Sequence, residues 1–315
     1  MTVRSGTGTE IMVGMNHLRF LRYVDEIARC GSIAKAAERL HVAASAVNRR
    51  LQDIEEELDT PLFERLPRGM RLTAAGELFI RYVRSRSTEL DQVLSQIEEL
   101  KGLRRGKVRL VVSQAVVSTL LPEAVASFRK THPEVAFDVH VGDHVHALAT
   151  LRAYESDLAL VFNLAPEPDV TRLAASEQKL LALMHRTHPL ATRDEGLRLR
   201  DCADYPVALP DGNTAGRQLL ERFMVRSSVK LKPLIESNSF EFLRNCLHHE
   251  QAISFQVAVG AISDHGELVA REIEDRGFPK GQLVLASLAG RNLPVIAHAF
   301  AAYLEAAMAQ MRYEL

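Results

Sequence analysis

Residues 31–58 read GSIAKAAERLHVAASAVNRRLQDIEEEL, and their spacing sets the fold of the front of the chain. Gly31 is a natural helix stop, and Ser32 stands where a side-chain oxygen caps the helix that follows. Ile33, Ala36, Ala37 and Leu40 give that helix one apolar face, and the paired alanines let another helix come close. After His41-Val42, the residues Val47, Leu51, Ile54 and Leu58 form a stripe at 4-3-4 spacing, so the next helix begins near Ala44 or Ser45. Its other face carries Asn48, Arg49, Arg50 and Gln52. The segment is helix, tight turn and helix, with a polar, basic outer face on the second helix.

Upstream, Leu18, Leu21, Val24 and Ile27 or Ala28 recur every three or four residues, which predicts a first amphipathic helix ending at Cys30-Gly31. Downstream, Asp59-Thr60-Pro61 breaks the helix. Residues 62–72 (LFERLPRGMRL) then read as two short strands around a Pro-Arg-Gly turn with Arg68 at a basic tip. Thr73 caps a long helix expected from Ala74 to about Leu103, with Glu77 placed for a loose capping box. Leu78, Tyr82, Leu90, Val93, Leu94, Ile97 and Leu100 form its apolar seam, interrupted by Arg81, Arg84 and Arg86. A helix of roughly 30 residues extends about 45 Å, too long for the small domain before it, which predicts pairing with a copy of itself.

Residues 102–107 (GLRRGK) read as a hinge, and beyond it the rhythm changes. Strands are expected near Val108–Val112, Val135–Val141, Asp157–Phe162, Lys179–Met184, Pro206–Leu209, Ala252–Phe255 and Gly281–Leu288. Helices alternate with them, closing with Pro294–Met311, a pattern that predicts a parallel α/β sheet.

Composition sets the outer bounds. The 315 residues suit two or three domains, and 47% apolar with 25% charged residues is that of an ordinary globular chain. No apolar run reaches the roughly 18 residues of a membrane span, and residues 1–15 lack the apolar core of a signal peptide. Cys30, Cys202 and Cys246 form no CxxC pair or metal-ligand spacing, which fits a reducing compartment. A cytoplasmic protein without membrane contact is expected. Residues 1–14, rich in Thr, Gly and Ser, read as a disordered extension or an artefact of the assigned start, with Met12 or Met15 as the natural one. Between Asn16 and Lys107 there are 17 Lys and Arg against 14 Asp and Glu, a net of +3; residues 108–315 carry 21 against 25, a net of −4. The front half is mildly suited to a polyanion.

With those elements in place, residues 16–76 resemble the winged helix-turn-helix of the LysR-type transcriptional regulators. The resemblance rests on residues 31–42 (GSIAKAAERLHV), Leu51 to Leu58, Pro61-Leu62-Phe63-Glu64-Arg65, Arg68-Gly69 and Leu72-Thr73-Ala74-Ala75-Gly76. The later order of elements is similar to that family to the C-terminus. It implies an α plus α/β chain in four parts. These are the extension 1–14, a winged helix-turn-helix over 15–73, a linker and dimerisation helix over 74–106, and an effector-binding domain over 107–315. The last is two-lobed like periplasmic solute-binding proteins, with lobe I about 107–167 and 268–315 and lobe II about 168–267.

The implied function is sequence-specific binding of double-stranded promoter DNA, modulated by a small-molecule effector that in this family is often a carboxylate. Dimers through the linker helix and tetramers beyond it are implied; catalysis, a cofactor and a metal are not. A recognition helix enters the major groove while phosphate contacts fix its register. On that geometry Ser45, Asn48, Arg49 and Gln52 face base edges, Ser32 and Arg50 lie near phosphates, and Arg68 reaches the backbone or minor groove. Arg65, on the same hairpin, completes the set. Where the family commonly has Ser-Gln, this chain has Ala43-Ala44, so Ser45 is expected to take over the cap and shorten the helix start by about two residues. Base reading then shifts toward Asn48 and Arg49.

Ligands of such two-lobed folds lie at the carboxyl ends of strands and the amino ends of helices. Ser113, Gln114, Ala115, Asp143, His144, Phe162, Asn163, Pro210, Ser254, Phe255 and Gln256 hold those positions. His248-His249 lacks third and fourth metal ligands, and the family's glycine-rich turn is replaced by Glu250-Gln251-Ala252. Two alternatives stand beside this reading: a cytosolic small-molecule receptor without DNA readout, and a redox-sensing regulator using Cys202 or Cys246. An α/β enzyme is disfavoured, since no G-x-S-x-G, P-loop or G-x-G-x-x-G signature is present.

Overall fold

The computed structural model describes residues 16–67, 69–100, 106–193, 196–212, 214–261 and 266–311. The expected extension 1–14, the wing residue Arg68 and most of the hinge lie outside them. The chain forms two compact units that divide between Leu94 and Ser95. Among the described residues no helix is long and apolar enough to cross a membrane.

The first unit contains α1 (Asn16–Cys30), α2 (Ile33–Leu40), α3 (Ala44–Glu57), β1 (Phe63–Leu66), β2 (Gly69–Leu72) and the start of α4 (Ala74–Leu100). Val24, Ile27, Ala36, Ala37, Val47, Leu51, Leu62, Phe63 and Ile80 make its core, so the stripes of all four helices meet. The α2–α3 turn is tight because His41 adopts a left-handed φ of 54°, letting its N–H reach Glu38 O at 3.2 Å and the Val42 N–H reach Ala37 O at 3.0 Å. The wing is fastened at its base by Glu55, whose Oε1 accepts from the N–H of Leu62 (2.7 Å) and of Phe63 (3.1 Å). Its tip end is held by the Met70 N–H donating to Gly31 O at 2.8 Å, an approach so close that a Cβ on Gly69 would lie 2.6 Å from that oxygen. Gly76 is fixed by the same logic, since a Cβ there would meet Leu62 O at 2.0 Å. Arg84 does not interrupt a seam as expected; its Nε donates to Asp25 of α1 at 2.6 Å and it is largely buried.

Two details of the first unit differ from the sequence reading. Ser45 does not cap α3 and the helix is not shortened: Ala43 is the N-cap without a side-chain bond, and its carbonyl alone starts the helix by accepting from Ala46 N (3.0 Å) and Val47 N (3.3 Å). Leu58 is the C-cap and 42% exposed rather than a member of the buried stripe.

The second unit is built on two five-stranded sheets. The first has the order β4 (Val135–Val141), β3 (Gly106–Val112), β5 (Leu158–Phe162), β12 (Gly281–Leu288), β6 (Val170–Gln178). The second has the order β11 (Leu268–Glu272), β7 (Leu180–His185), β10 (Ile253–Val257), β8 (Pro206–Pro210), β9 (Lys232–Ser237). The helices are α5 (Gln114–Val117), α6 (Leu120–Thr131), α7 (His144–Arg152), α8 (Ala215–Arg226), α9 (Phe240–His249) and α10 (Val295–Gln310). Both sheets are mixed rather than parallel: β12 runs antiparallel to β5 and β6, and β7 antiparallel to β10 and β11.

The lobe boundaries are also displaced from about 168 and 268. Strand β6 pairs along its length with β12 and so belongs to the first sheet, while β11 pairs with β7 in the second. The chain crosses at Lys179 and returns between Glu272 and Gly281. Gln178, fully buried at the first crossing, accepts from the Val259 N–H at 3.1 Å, and Thr119 of the first lobe donates to Val259 O at 2.7 Å. These bonds tie the two lobes at the point where they exchange strands.

Candidate DNA interface and ligand cleft

Helix α3 buries Val47 and Leu51 and turns Ser45, Arg49, Arg50 and Gln52 outward, all four exposed. Asn48 is half-buried because its Oδ1 accepts from Arg65 Nη2 of β1 at 2.9 Å, a bond between recognition helix and wing. That bond uses one of the two lone pairs of Oδ1 and neither N–H of Nδ2, so Asn48 keeps an acceptor and its donors for a base edge. Arg50 is paired with Asp53 at 3.0 Å, and Ser32 Oγ, the N-cap of α2, accepts from the Lys35 N–H at 3.5 Å. Ala43 and Ala44 are exposed at the amino end of α3, where the outer face is then apolar and small. The residues proposed from sequence for DNA thus lie on one helix, on the strand beside it and at the start of α2, with Arg68 outside the described residues.

The second unit contains a cavity of about 340 Å³ between its lobes, a size that suits a small metabolite. Ser113, Gln114, Ala115, Asp143, His144, Phe162 and Asn163 from the first lobe line it as expected. Asp211, Thr214, Ala215, Gly216, Gln218, Asn238, Phe240 and Val257 close it from the second. Local structure explains these positions. Asp143 caps α7 by accepting from the His146 N–H at 2.8 Å, and Thr214 caps α8 by accepting from the Arg217 N–H at 3.4 Å. Ser113 Oγ accepts from the Phe162 N–H at 3.2 Å, which locks the ends of β3 and β5 together. Asn163 sits at a left-handed φ of 51°, and its Oδ1 accepts from the Gln282 N–H at 3.1 Å. Its Nδ2 is buried on the cavity wall with no hydrogen-bond partner among the described residues, a donor available to a ligand oxygen.

Four of the expected ligand residues are elsewhere. Ser254 and Phe255 are inside β10, 0% and 1% exposed, because that central strand has β7 and β8 along its edges and α8 and α9 packed on it; Pro210 does not line the cavity, although its neighbour Asp211 does. Gln256 lines a second, adjoining cavity of about 290 Å³ with Arg244 and Asn245, and both its amide atoms lack a partner among the described residues. The residues that sequence reasoning missed, such as Asn238 and Phe240, follow β9, whose exposed run Lys232–Ser237 carries no strand signal of the buried kind.

The cysteines fit no redox site at Cys202, which is fully buried with its thiol pushed up to about 12 by burial first and by Asp201 and Asp275 second.

Two family models match the chain: the bacterial regulatory helix-turn-helix protein of the lysR family over residues 18–77, and the LysR substrate binding domain over residues 101–309. The RuBisCO operon transcriptional regulator of Allochromatium vinosum is 26% identical over 307 residues, covering 95% of this chain and 98% of that protein. Full-length OxyR from Pseudomonas aeruginosa superposes with a TM-score of 0.73 at 19% identity, covering 95% of this chain and 98% of that one. Full-length CbnR in complex with its target DNA superposes at 0.63 and 18% identity, covering 92% and 99%. The chain belongs to the LysR family of DNA-binding transcriptional regulators with an effector-binding domain.

Proposed function

We propose that the first unit reads an operator through Arg49, with Ser45, Asn48 and Gln52 beside it, and holds phosphates through Ser32, Arg50, Arg65 and Arg68. The observation that carries this reading is the exposed polar face of α3, which a capped α2 and a docked wing present together. The likeness to the DNA-bound CbnR chain supports the same placement. The fold gives no reason to expect catalysis, and the chain is assigned to the cytoplasm with its promoter DNA.

The effector is proposed to sit in the interlobe cavity. Its lining contributes the carboxylates of Asp143 and Asp211, several amides and, among the described residues, no lysine or arginine. The exposed side chains of Leu78, Tyr82, Val93, Leu94 and Ile97 along α4 supply the seam for a dimer, which would place two winged domains on two half-sites; tetramers would follow from the second unit.

The test is anisotropy binding of the purified chain to the DNA upstream of its own coding region, at physiological salt with excess random DNA. Competitor-resistant binding is expected. Affinity no better than for random DNA at that promoter and at genome-selected sites would leave a receptor without DNA readout.

A further inference from the structure

His185, His248 and Glu267 come from three separated places in the chain, the end of β7, the last turn of α9 and the residue before β11. Each offers a ligand atom, and these atoms lie within 4.8 Å of one another. We propose that they form a binding site for a divalent zinc-type cation on the second lobe, independent of the effector cavity. None of the three lines either cavity.

Rigid elements hold all three ligands. The Arg186 N–H donates to Glu267 O at 2.7 Å and His185 stands opposite Leu268, so two ligands are fixed by one antiparallel pair. Helix α9 is packed onto the same pair by Leu247, buried with Leu183 and Leu268, which brings in His248. The imidazole rings of His185 and His248 meet edge to face at 6.2 Å and 73°, so they converge without stacking.

The donor chemistry suits the ion. Two imidazoles and a carboxylate are a zinc donor set, with a fourth position left for water. Bond lengths of roughly 2.0–2.2 Å put tetrahedral ligands about 3.3 Å apart, and His248 Nδ1 stands 3.2 Å from Glu267 Oε2. Thr187 occupies His185 Nδ1 with its Oγ1 at 2.7 Å and its backbone N–H at 3.3 Å, so Nε2 is the ligand atom once Nδ1 carries the proton and donates it to the hydroxyl. A simple surface ion pair between His248 and Glu267 needs neither His185 nor Thr187.

The test uses the tag-free full-length chain, stripped with chelator and titrated with Zn²⁺ and with Co²⁺. One equivalent per chain, visible ligand-field absorption of low-coordinate Co²⁺ and a higher melting temperature with Zn²⁺ are expected. His185→Gln and Glu267→Gln should each abolish stoichiometric binding with unchanged circular dichroism, the exposed Glu267 being the variant that keeps the fold intact. Thr187→Val should weaken it by about 10-fold or more. Absence of stoichiometric binding by the parent chain, or binding that survives both ligand variants, overturns the proposal.

Discussion

Arg49 and Arg50 are neighbours on α3 with different surroundings. Arg49 is exposed on the outer face, whereas Arg50 is drawn along the helix to Asp53 at 3.0 Å. A base-reading arginine and a phosphate-holding one fail in different ways when removed. Arg49→Ala is expected to cost about 1–3 kcal/mol on the operator and much less on random DNA. Arg50→Ala should weaken both alike and lower the salt slope by about 1. Anisotropy titrations at several salt concentrations separate the two, and equal losses on both DNAs for Arg49→Ala would remove it from base reading. His188 supplies the pH-dependent residue. It is fully buried against Tyr205, its Nδ1 accepts from the Leu190 N–H at 3.1 Å, and burial holds its pKa below the ordinary histidine value. The unfolded chain takes up a proton near pH 6.5 that the folded chain refuses, so this group leaves stability unchanged above that pH and removes it as the pH falls below. Thermal unfolding of His188→Leu should therefore lose less stability than the parent between about pH 6.5 and 5; parallel pH profiles would show that His188 does not titrate.

At the scale of the element, α4 carries a stripe of large apolar side chains that are exposed among the described residues. Val93, Leu94 and Ile97 are 49%, 38% and 42% exposed, three large aliphatic side chains at i, i+1 and i+4 over two adjoining turns. A single such residue is ordinary on a surface, but a repeating seam on a helix is covered by a partner helix. Ile97→Glu places a charge in that seam and is expected to shift the chain toward monomer in sedimentation equilibrium with helix content unchanged; an unaltered dimer would move the interface off α4. Elements of this kind were legible from sequence where periodicity and a cap agreed, as in α2, whose Ser32 cap and alanine face both appear. For α3 the start near Ala44 was legible but the cap was not, because the rule for caps names side chains and Ala43 begins the helix with its backbone alone. The edge strands β6, β9 and β11 were missed for a related reason: apart from Gln178 and Leu268 none of their residues is buried, so none shows the continuous apolar run of β5 or β10.

In the molecule as a whole, the cleft was half legible. Strand ends mark where ligands gather, which located Ser113, Asp143, Phe162 and Asn163, but a strand's end does not say which lobe faces it. Ser254 and Phe255 satisfied the rule and lie inside the sheet, whereas Asn238, in the turn after an unpredicted strand, lines the cavity. Asn238 is exposed, so it can be enlarged without disturbing the fold. A tryptophan there is large enough to occupy much of a cavity of about 340 Å³ and to hold the lobes apart. If ligand binding between the lobes sets the regulatory output, Asn238→Trp should bind the operator as tightly as the parent chain while a reporter under that promoter stops responding to the metabolites that change the parent's output. Operator affinity measured on purified protein and reporter output across the same metabolites together decide the matter. A variant that keeps the full response would place the effector outside this cavity, with the smaller one beside Gln256 and Arg244 as the next site to block.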